Sequence, residues 1–298
     1  MSAPARAFRA GGRRLELGGP PLLMGIVNAT PDSFSDAGEL PDAAARAARA
    51  HELVAAGAAI VDVGGESAFG GRPPVRPDEE IARVVPVIER LARELDALIS
   101  VDTYKPAVAE AAIAAGAQIV NDVSGLRDPE LAEICAGTGA GLILVHTRVA
   151  PKGTLLDPGF YDDVVADVRE FLEERIAVAE AAGMHPEQLL LDPGPDFAKT
   201  PAQTVAVLRR LELLHELGRP LLLAVSRKDF LGAITGRAVR DRGPATLAAV
   251  GWAADAGAHA IRVHDVGAAA DFLAVRAVLR GERVLAPGEG LTPDRYPG

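Results

Sequence analysis

The chain has 298 residues, 49% hydrophobic and 24% charged, which is enough to bury the core of one large domain or two ordinary ones. The formal net charge of −10 argues against a nucleic-acid partner, which would need a basic stripe. The single cysteine, Cys135, excludes an intramolecular disulfide, and the six histidines show no pair at zinc-ligand spacing. Because the N-terminus lacks the apolar core of a signal peptide and no apolar run reaches transmembrane length, we expect a cytoplasmic protein with no membrane partner.

Residues 1–21 are polar and glycine-rich, with Gly11-Gly12 between two short strand-like runs. This pattern predicts a short hairpin, which we expect to plug one end of a larger structure. From Leu22 onward, short apolar runs alternate with longer segments of helical periodicity. The predicted strands are residues 22–27, 59–63, 98–101, 118–120, 142–145, 189–191, 220–225 and 260–263.

Helical segments lie between these strands, for example residues 41–56, 77–95, 106–115 and 161–182. The last is the clearest, because its apolar residues fall on one face and its charged residues on the other. The apolar face comprises Val164, Val165, Val168, Phe171, Leu172 and Ile176. The charged face comprises Asp167, Arg169, Glu170, Glu173 and Glu174.

About eight strand–helix units over roughly 250 residues predict an α/β fold, a single (β/α)₈ TIM barrel with a short N-terminal hairpin. We expect one domain, with the barrel at about residues 22–280 and a loose tail at 281–298. The alternative is a doubly wound open sheet, which would need a glycine-rich nucleotide turn. No G-x-G-x-x-G motif is present in the sequence.

Every predicted strand ends in ionisable or amide side chains, and the carboxyl ends of barrel strands all face one mouth. Three of these ends carry acceptors and an amide suited to a flat heterocycle with several N–H donors: Asp102, Asn121 and Asp192. Others carry cations suited to a polyphosphate or carboxylate: Lys228, Arg262 and His264. A heterocycle bearing a pyrophosphate would satisfy both groups.

The first strand leads into a polar loop, residues 28–38, that is interrupted by Pro31. Asn28 and the loop carboxylates, of which Asp36 is one, offer the oxygen ligands that Mg²⁺ prefers. The composition of this loop alone also fits an ordinary strand and turn. The seven other polar strand ends favour a functional role.

Eight motifs, each at or just beyond a predicted strand end, resemble one family in combination. They are MGIVNATPDSFSDAG from Met24, VGGES from Val63, SVDTYKP from Ser100, Asn121-Asp122-Val123, Asp192-Pro193-Gly194, FAKT from Phe197, Ser226-Arg227-Lys228 and RVHDV from Arg262. On these motifs the chain resembles the dihydropteroate synthase family over about residues 22–279. The resemblance implies a pterin-binding TIM barrel that joins 6-hydroxymethyl-7,8-dihydropterin pyrophosphate to para-aminobenzoate in folate biosynthesis.

The resemblance also implies residue roles, Mg²⁺ as cofactor and a homodimer. The Ala-, Val- and Leu-rich late helices at residues 245–256 and 267–279 could supply the dimer interface, although their periodicity fits core packing equally well. The pterin would bind Asp102, Asn121, Asp192 and Lys228. The pyrophosphate would bind Asn28, Arg262 and His264, with Asn28 and Asp36 on the metal. Para-aminobenzoate would contact Phe34, Phe69, Phe197 and Ser226. The implied catalytic residues are Asp102, Lys228, Arg262 and His264.

The sequence departs from the family pattern mainly in the second loop. Ala68-Phe69-Gly70-Gly71 stands where Thr-Arg-Pro-Gly is usual, and Arg72 could restore the lost cation. Pro195-Asp196 replaces a glycine-containing pair beside Phe197. We hypothesise an active synthase with an altered para-aminobenzoate pocket and lower sulfonamide sensitivity. The alternatives are a non-catalytic pterin-binding paralogue and a related methyltetrahydrofolate methyltransferase, which needs no pyrophosphate site.

Overall fold

The computed structural model describes residues 7–29, 43–66, 73–286 and 289. It begins with an antiparallel hairpin of β1 (Ala7–Ala10) and β2 (Arg13–Glu16), which turns at Gly11-Gly12 as predicted. Parallel strands then alternate with helices. The strands are β3 (Leu22–Asn28), β4 (Ile60–Gly64), β5 (Leu98–Asp102), β6 (Ile119–Asp122), β7 (Gly141–Val145), β8 (Leu189–Asp192), β9 (Leu222–Leu223) and β10 (Ala260–Val263).

The helices lie between the strands in sequence. They are α1 (Ala43–Ala55), α2 (Pro77–Glu94), α3 (Pro106–Ala114), α4 (Glu130–Thr138), α5 (Val164–Ala181), α6 (Pro201–Leu208), α7 (Glu212–His215), α8 (Asp229–Thr235), α9 (Gly243–Asp255) and α10 (Val266–Leu279). Three of them begin at Pro77, Pro106 and Pro201, where the missing N–H costs nothing and the fixed φ favours the first turn. No helix among the described residues is long and apolar enough to cross a bilayer.

The parallel strands pair in the order β8-β7-β6-β5-β4-β3-β10-β9. Leu191 in β8 forms a further parallel bridge with Leu221, just before β9. This bridge joins the two outer strands and closes the sheet into a barrel. The predicted (β/α)₈ barrel with its hairpin is confirmed, and the open-sheet alternative is wrong.

The hairpin plugs the end of the barrel at which the strands begin. Phe8 of β1 is 1% exposed and packs against the first inward-facing layer of the barrel. That layer consists of Met24, Ile60, Leu98, Ile119, Leu190, Leu222 and Ala260. Gly141 leaves room for the plug, because a Cβ there would lie 2.5 Å from the Phe8 ring.

Helix α5 buries the apolar face that the sequence predicts, from Val164 to Ile176. One residue of the predicted charged face behaves differently. The Asp167 carboxylate turns back towards the barrel. Its Oδ1 pairs with His146 Nε2 and accepts a hydrogen bond from Arg148 Nε. Helical periodicity does not predict this contact, because its partners lie just beyond the end of β7.

Candidate active site

Beyond the apolar layer, five strands carry polar side chains on their inward-facing side. Alternation along each strand brings every second side chain into the barrel. Asp62, Asn121, Asp192 and Arg262 lie two residues after a member of the apolar layer, and Asp102 lies four residues after Leu98; these five form the polar layer. The register places Asn28, Gly64 and Asp102 beside one another on adjacent strands. The polar strand ends that the sequence singles out therefore meet at one mouth.

Arg262 lies at the centre of this layer. Its Nε donates to Asp62 Oδ2 at 2.7 Å, and its Nη2 donates to Asp102 Oδ2 at 2.9 Å. Asn121 Nδ2 also donates to Asp62 Oδ2, at 3.2 Å. Asp62 is fully buried and anchors the group from below. A guanidinium has five N–H groups, and these two bonds use only two of them.

Asp102 lies at the upper edge of this group. Burial raises the pKa of Asp102 to about 7, although the Arg262 cation opposes the shift and the Asp62 carboxylate reinforces it. A carboxyl group with that pKa can accept or give up a proton near neutral pH. Asp102 is therefore held in place by Arg262 and can change its protonation state near neutral pH.

Asp192 is the last residue of β8, and Lys228 lies directly before α8. Asp192 is 3% exposed, and its Oδ1 accepts a hydrogen bond from Gly194 N at 2.8 Å. Burial raises the pKa of Asp192 to about 6 and lowers the pKa of Lys228. The Lys228 ammonium lies 4.6 Å from the centroid of the Phe197 ring, which is a cation–π contact. This contact places the Phe197 ring beside the mouth.

Ser226 and His264 form a second pair on this side. The Ser226 hydroxyl lies 2.9 Å from His264 Nδ1, and His264 N donates to Ser226 Oγ at 3.3 Å. Burial lowers the pKa of His264 to about 4, with help from the neighbouring Arg262 cation. The imidazole is therefore neutral at pH 7. With Nδ1 accepting from Ser226, the ring carries its proton on Nε2 and can donate there.

A buried lysine behind the mouth was not among the predicted site residues. Lys199 is 1% exposed, and its ammonium lies 2.6 Å from His146 Nδ1 and 3.0 Å from both Gly194 O and Phe197 O. His146 Nε2 in turn lies 3.0 Å from Asp167 Oδ1. This network holds the turn that carries Asp192 and Phe197. The FAKT motif marks Lys199 in the sequence, but nothing there shows that the side chain is buried.

A cleft opens beside these groups. Asp102, Val123, Thr147 and Phe197 line it together with the segment 149–153. At its rim Lys105 pairs with both Glu66 and Glu80, and Lys152 Nζ lies 2.7 Å from Glu66 Oε1. These ion pairs tie the ends of three strand loops together around the cleft.

The structure brings together nine of the predicted site residues: Asn28, Asp102, Asn121, Asp192, Phe197, Ser226, Lys228, Arg262 and His264. Asn28 is exposed at the carboxyl end of β3. Three predicted site residues lie outside the described residues: Phe34, Asp36 and Phe69. The loop from Ala68 to Arg72, which departs from the family pattern, also lies outside them. Among the described residues, no group of three or more His, Cys, Asp or Glu side chains could hold a metal ion.

Comparison with known proteins identifies the family to which the chain belongs. The family model for pterin binding enzymes matches residues 24–264. The dihydropteroate synthase of Bacillus subtilis is 42% identical over 246 residues, which is 82% of this chain and 84% of that protein. The Escherichia coli K12 enzyme of the same name is also 42% identical over 246 residues, covering 83% of this chain and 87% of its own length.

Solved structures agree. Xanthomonas albilineans dihydropteroate synthase with 4-aminobenzoic acid superposes with a TM-score of 0.86 at 43% identity, over 93% of this chain and 98% of that one. The same enzyme in complex with 7,8-dihydropteroate gives a TM-score of 0.82 at 42% identity, over 91% and 98%. The resemblance that the motifs indicate is confirmed, and the chain belongs to the dihydropteroate synthase family of pterin-binding enzymes.

Proposed function

We propose that this chain condenses 6-hydroxymethyl-7,8-dihydropterin pyrophosphate with para-aminobenzoate, giving 7,8-dihydropteroate and pyrophosphate. One observation carries the proposal. Asp102, Asn121, Asp192 and Lys228 converge on one barrel mouth next to the Arg262 cation, in a chain 42% identical to dihydropteroate synthases over most of its length.

The pterin ring is assigned to the buried acceptors. A pterin presents N–H donors along one edge and acceptors along the other, so it needs both carboxylates and amide or ammonium donors. Asp102 and Asp192 accept, Asn121 does both, and Lys228 donates. Asp192 is buried and the Asp102 side chain is largely shielded from solvent. A hydrogen bond to a charged group is stronger in such a site than in water.

The reaction breaks the C–O bond between the pterin methylene and the pyrophosphate. The bonding electron pair leaves with the oxygen. The unused N–H groups of Arg262 and the Nε2–H of His264 stabilise the negative charge that develops there. The Asp102 carboxylate stabilises the cation left on the pterin. The arylamine nitrogen then forms the new C–N bond and loses a proton to solvent.

We assign a magnesium ion to Asn28, with Asp36 as a second ligand. Mg²⁺ takes one or two protein oxygens and completes its shell with water and substrate phosphates. An exposed amide at the end of β3 fits that requirement. A bound Mg²⁺ would neutralise charge on the leaving pyrophosphate.

Para-aminobenzoate is assigned to the outer mouth, against Phe197 and Ser226, with Phe34 and Phe69 from the two opening loops. Phe197 is half-buried, and its ring lies beside Lys228. Phe69 replaces an arginine of the family pattern, so we expect weaker inhibition by sulfonamides, which mimic this substrate. Steady-state inhibition constants before and after Phe69→Arg test the assignment, and an unchanged sulfonamide constant would contradict it.

The activity itself is tested by a coupled assay for dihydropteroate formation with and without Mg²⁺. We expect product only when both substrates are present, and a large loss of rate when the metal is chelated. Calorimetric binding of the pterin pyrophosphate without product or pyrophosphate release would favour the non-catalytic paralogue.

We further propose that the chain forms a homodimer through α9 and α10. Trp252 on α9 is 51% exposed, and Val275 and Leu279 on α10 are 60% and 82% exposed. Val275 and Leu279 are four residues apart and share one helical face. Sedimentation of the protein and of a Val275→Glu/Leu279→Glu variant tests this: we expect a dimer that the double variant converts to a monomer.

A further inference from the structure

Asp196 has an unusual backbone conformation directly before Phe197. Its φ is +64°, in the left-handed region that ordinary residues avoid and that Asp and Asn tolerate best. Its two carboxylate oxygens face different segments. Oδ1 accepts a bond from Thr204 Oγ1 of α6 at 3.1 Å, and Oδ2 accepts bonds from Asp229 N and Phe230 N at the start of α8.

The residue that precedes Asp229 is Lys228, which is assigned to the pterin ring. Its loop is fixed from two sides. Asp196 takes the N–H groups of the two residues after Lys228, while Arg242 Nη1 donates to the carbonyls of Arg227 and Lys228 at 2.9 and 3.0 Å. The segment therefore has little freedom to move relative to the Phe197 loop.

Asp196 also contributes charge. Burial lowers the pKa of Lys228, and among the charges that oppose this effect Asp196 is the largest, followed by Asp192. The other ionisable groups that act on Lys228 or respond to it are Asp229, Arg262, Lys199 and His264. The Lys228 side chain must be protonated to keep its cation–π contact with the Phe197 ring.

We propose that Asp196 is a positioning residue for Lys228: it anchors the start of α8 to the Phe197 loop and places a negative charge beside the Lys228 ammonium. The inference rests on the proposed function, in which Lys228 contacts the pterin. It deepens that function by explaining why an acid occupies a left-handed position where glycine would be less strained.

The experiment compares Asp196→Asn and Asp196→Gly with the unchanged protein. Asn keeps the shape and tolerates the backbone conformation but loses the charge, whereas Gly loses charge and anchor together. Asp163→Asn is the matched control, because Asp163 likewise accepts two backbone N–H bonds, from Val165 and Ala166, at the start of α5.

Two readouts separate the effects. The pKa of Lys228 is measured by the pH dependence of its acylation, followed by mass spectrometry, and kcat/KM for the pterin pyrophosphate is measured against pH. We expect both Asp196 variants to lower the pKa of Lys228 by about one unit. The loss of kcat/KM at high pH should then begin at a pH lower by the same amount. Asp196→Gly should in addition raise KM, while Asp163→Asn should change neither readout.

An unchanged Lys228 pKa in Asp196→Asn would overturn the inference, even if Asp196→Gly failed to fold. The labelling needs no turnover, so it also separates the two proposals. If the unchanged protein made no dihydropteroate while the acylation shift was present, the proposed function would fail and the positioning role would stand.

Discussion

The two ends of the barrel are built from the same strands but differ completely in chemistry. At one end Met24, Ile60 and Leu98 meet the Phe8 plug in a dry apolar layer. At the other end, two to four residues further along the same strands, Asp62 and Asp102 bind Arg262. Apolar burial stabilises the fold, whereas a buried carboxylate whose pKa is raised by burial, such as Asp102, costs stability when it is ionised. The contrast indicates that one end holds the barrel together and the other is kept for binding and chemistry.

The largest effect is expected at the plugged end. Phe8→Ala should lower the free energy of unfolding by about 3–5 kcal/mol, because a fully buried ring leaves a cavity that its neighbours cannot fill. Pterin affinity of the folded variant should be unchanged. Urea unfolding and calorimetry measure the two quantities. Phe160→Ala is the matched control, since Phe160 is 49% exposed and should cost far less. Loss of pterin affinity in folded Phe8→Ala would break the contrast.

The mouth should show the opposite pattern. Asp192→Asn should weaken pterin binding by about 1.5–3 kcal/mol, the value of a hydrogen bond to a charged group. Above pH 6, the Asp192→Asn variant should be more stable than the unchanged protein. The folded pKa of Asp192 is about 6, against an ordinary value of 3.8. Ionising this carboxyl group therefore destabilises the native state of the unchanged protein. The loss of stability begins as the pH rises from about 4 and is complete above about 6. A variant less stable than the unchanged protein at pH 8 would contradict the account.

A smaller effect is expected behind the mouth. Burial lowers the pKa of Lys199 to about 7 from 10.5, so the folded protein binds fewer protons than the unfolded chain between these values. The destabilising contribution of the charged group is complete below pH 7 and fades as pH rises towards 10.5. Between pH 6 and pH 9 the stability of Lys199→Met relative to the unchanged protein should therefore fall by about 2 kcal/mol. Urea unfolding at both pH values measures this change, and a constant difference would show that Lys199 does not titrate as described.

The smallest effect concerns a single proton. His264 is neutral in the free protein because its pKa is about 4. A bound pyrophosphate should raise that pKa by about 1–3 units, so binding at pH 6 should take up protons. Calorimetry in two buffers of different ionisation enthalpy measures the uptake, and His264→Gln should abolish it. Equal uptake in both proteins would assign the proton to another group.

Most of the fold could be predicted from sequence because each strand and helix is a local pattern. The predicted strand 260–263 coincides with β10, and 98–101 falls one residue short of β5. The final strand before β10 is shorter than predicted, two residues at Leu222–Leu223 instead of 220–225. An apolar run shows that a segment is buried, but it does not show how many of its residues find a ladder partner.

The site could be predicted only as a set of residues at strand ends. Which of them touch depends on closure of the barrel, which pairs Arg262 with Asp62 across 200 positions of sequence. The buried Lys199 and the Asp196 anchor are invisible for the same reason, because their partners come from other strands and helices. The resemblance to a family supplied the chemistry that residue spacing alone left open.

The most direct test of the account is a crystal structure of the protein with a bound dihydropterin. We predict that the ring lies in the mouth with Asp102, Asn121, Asp192 and Lys228 within about 3.2 Å of its polar atoms, and that the Phe8 plug is unchanged. A pterin bound outside the barrel, or in the mouth without contact to these four side chains, would contradict the central claim.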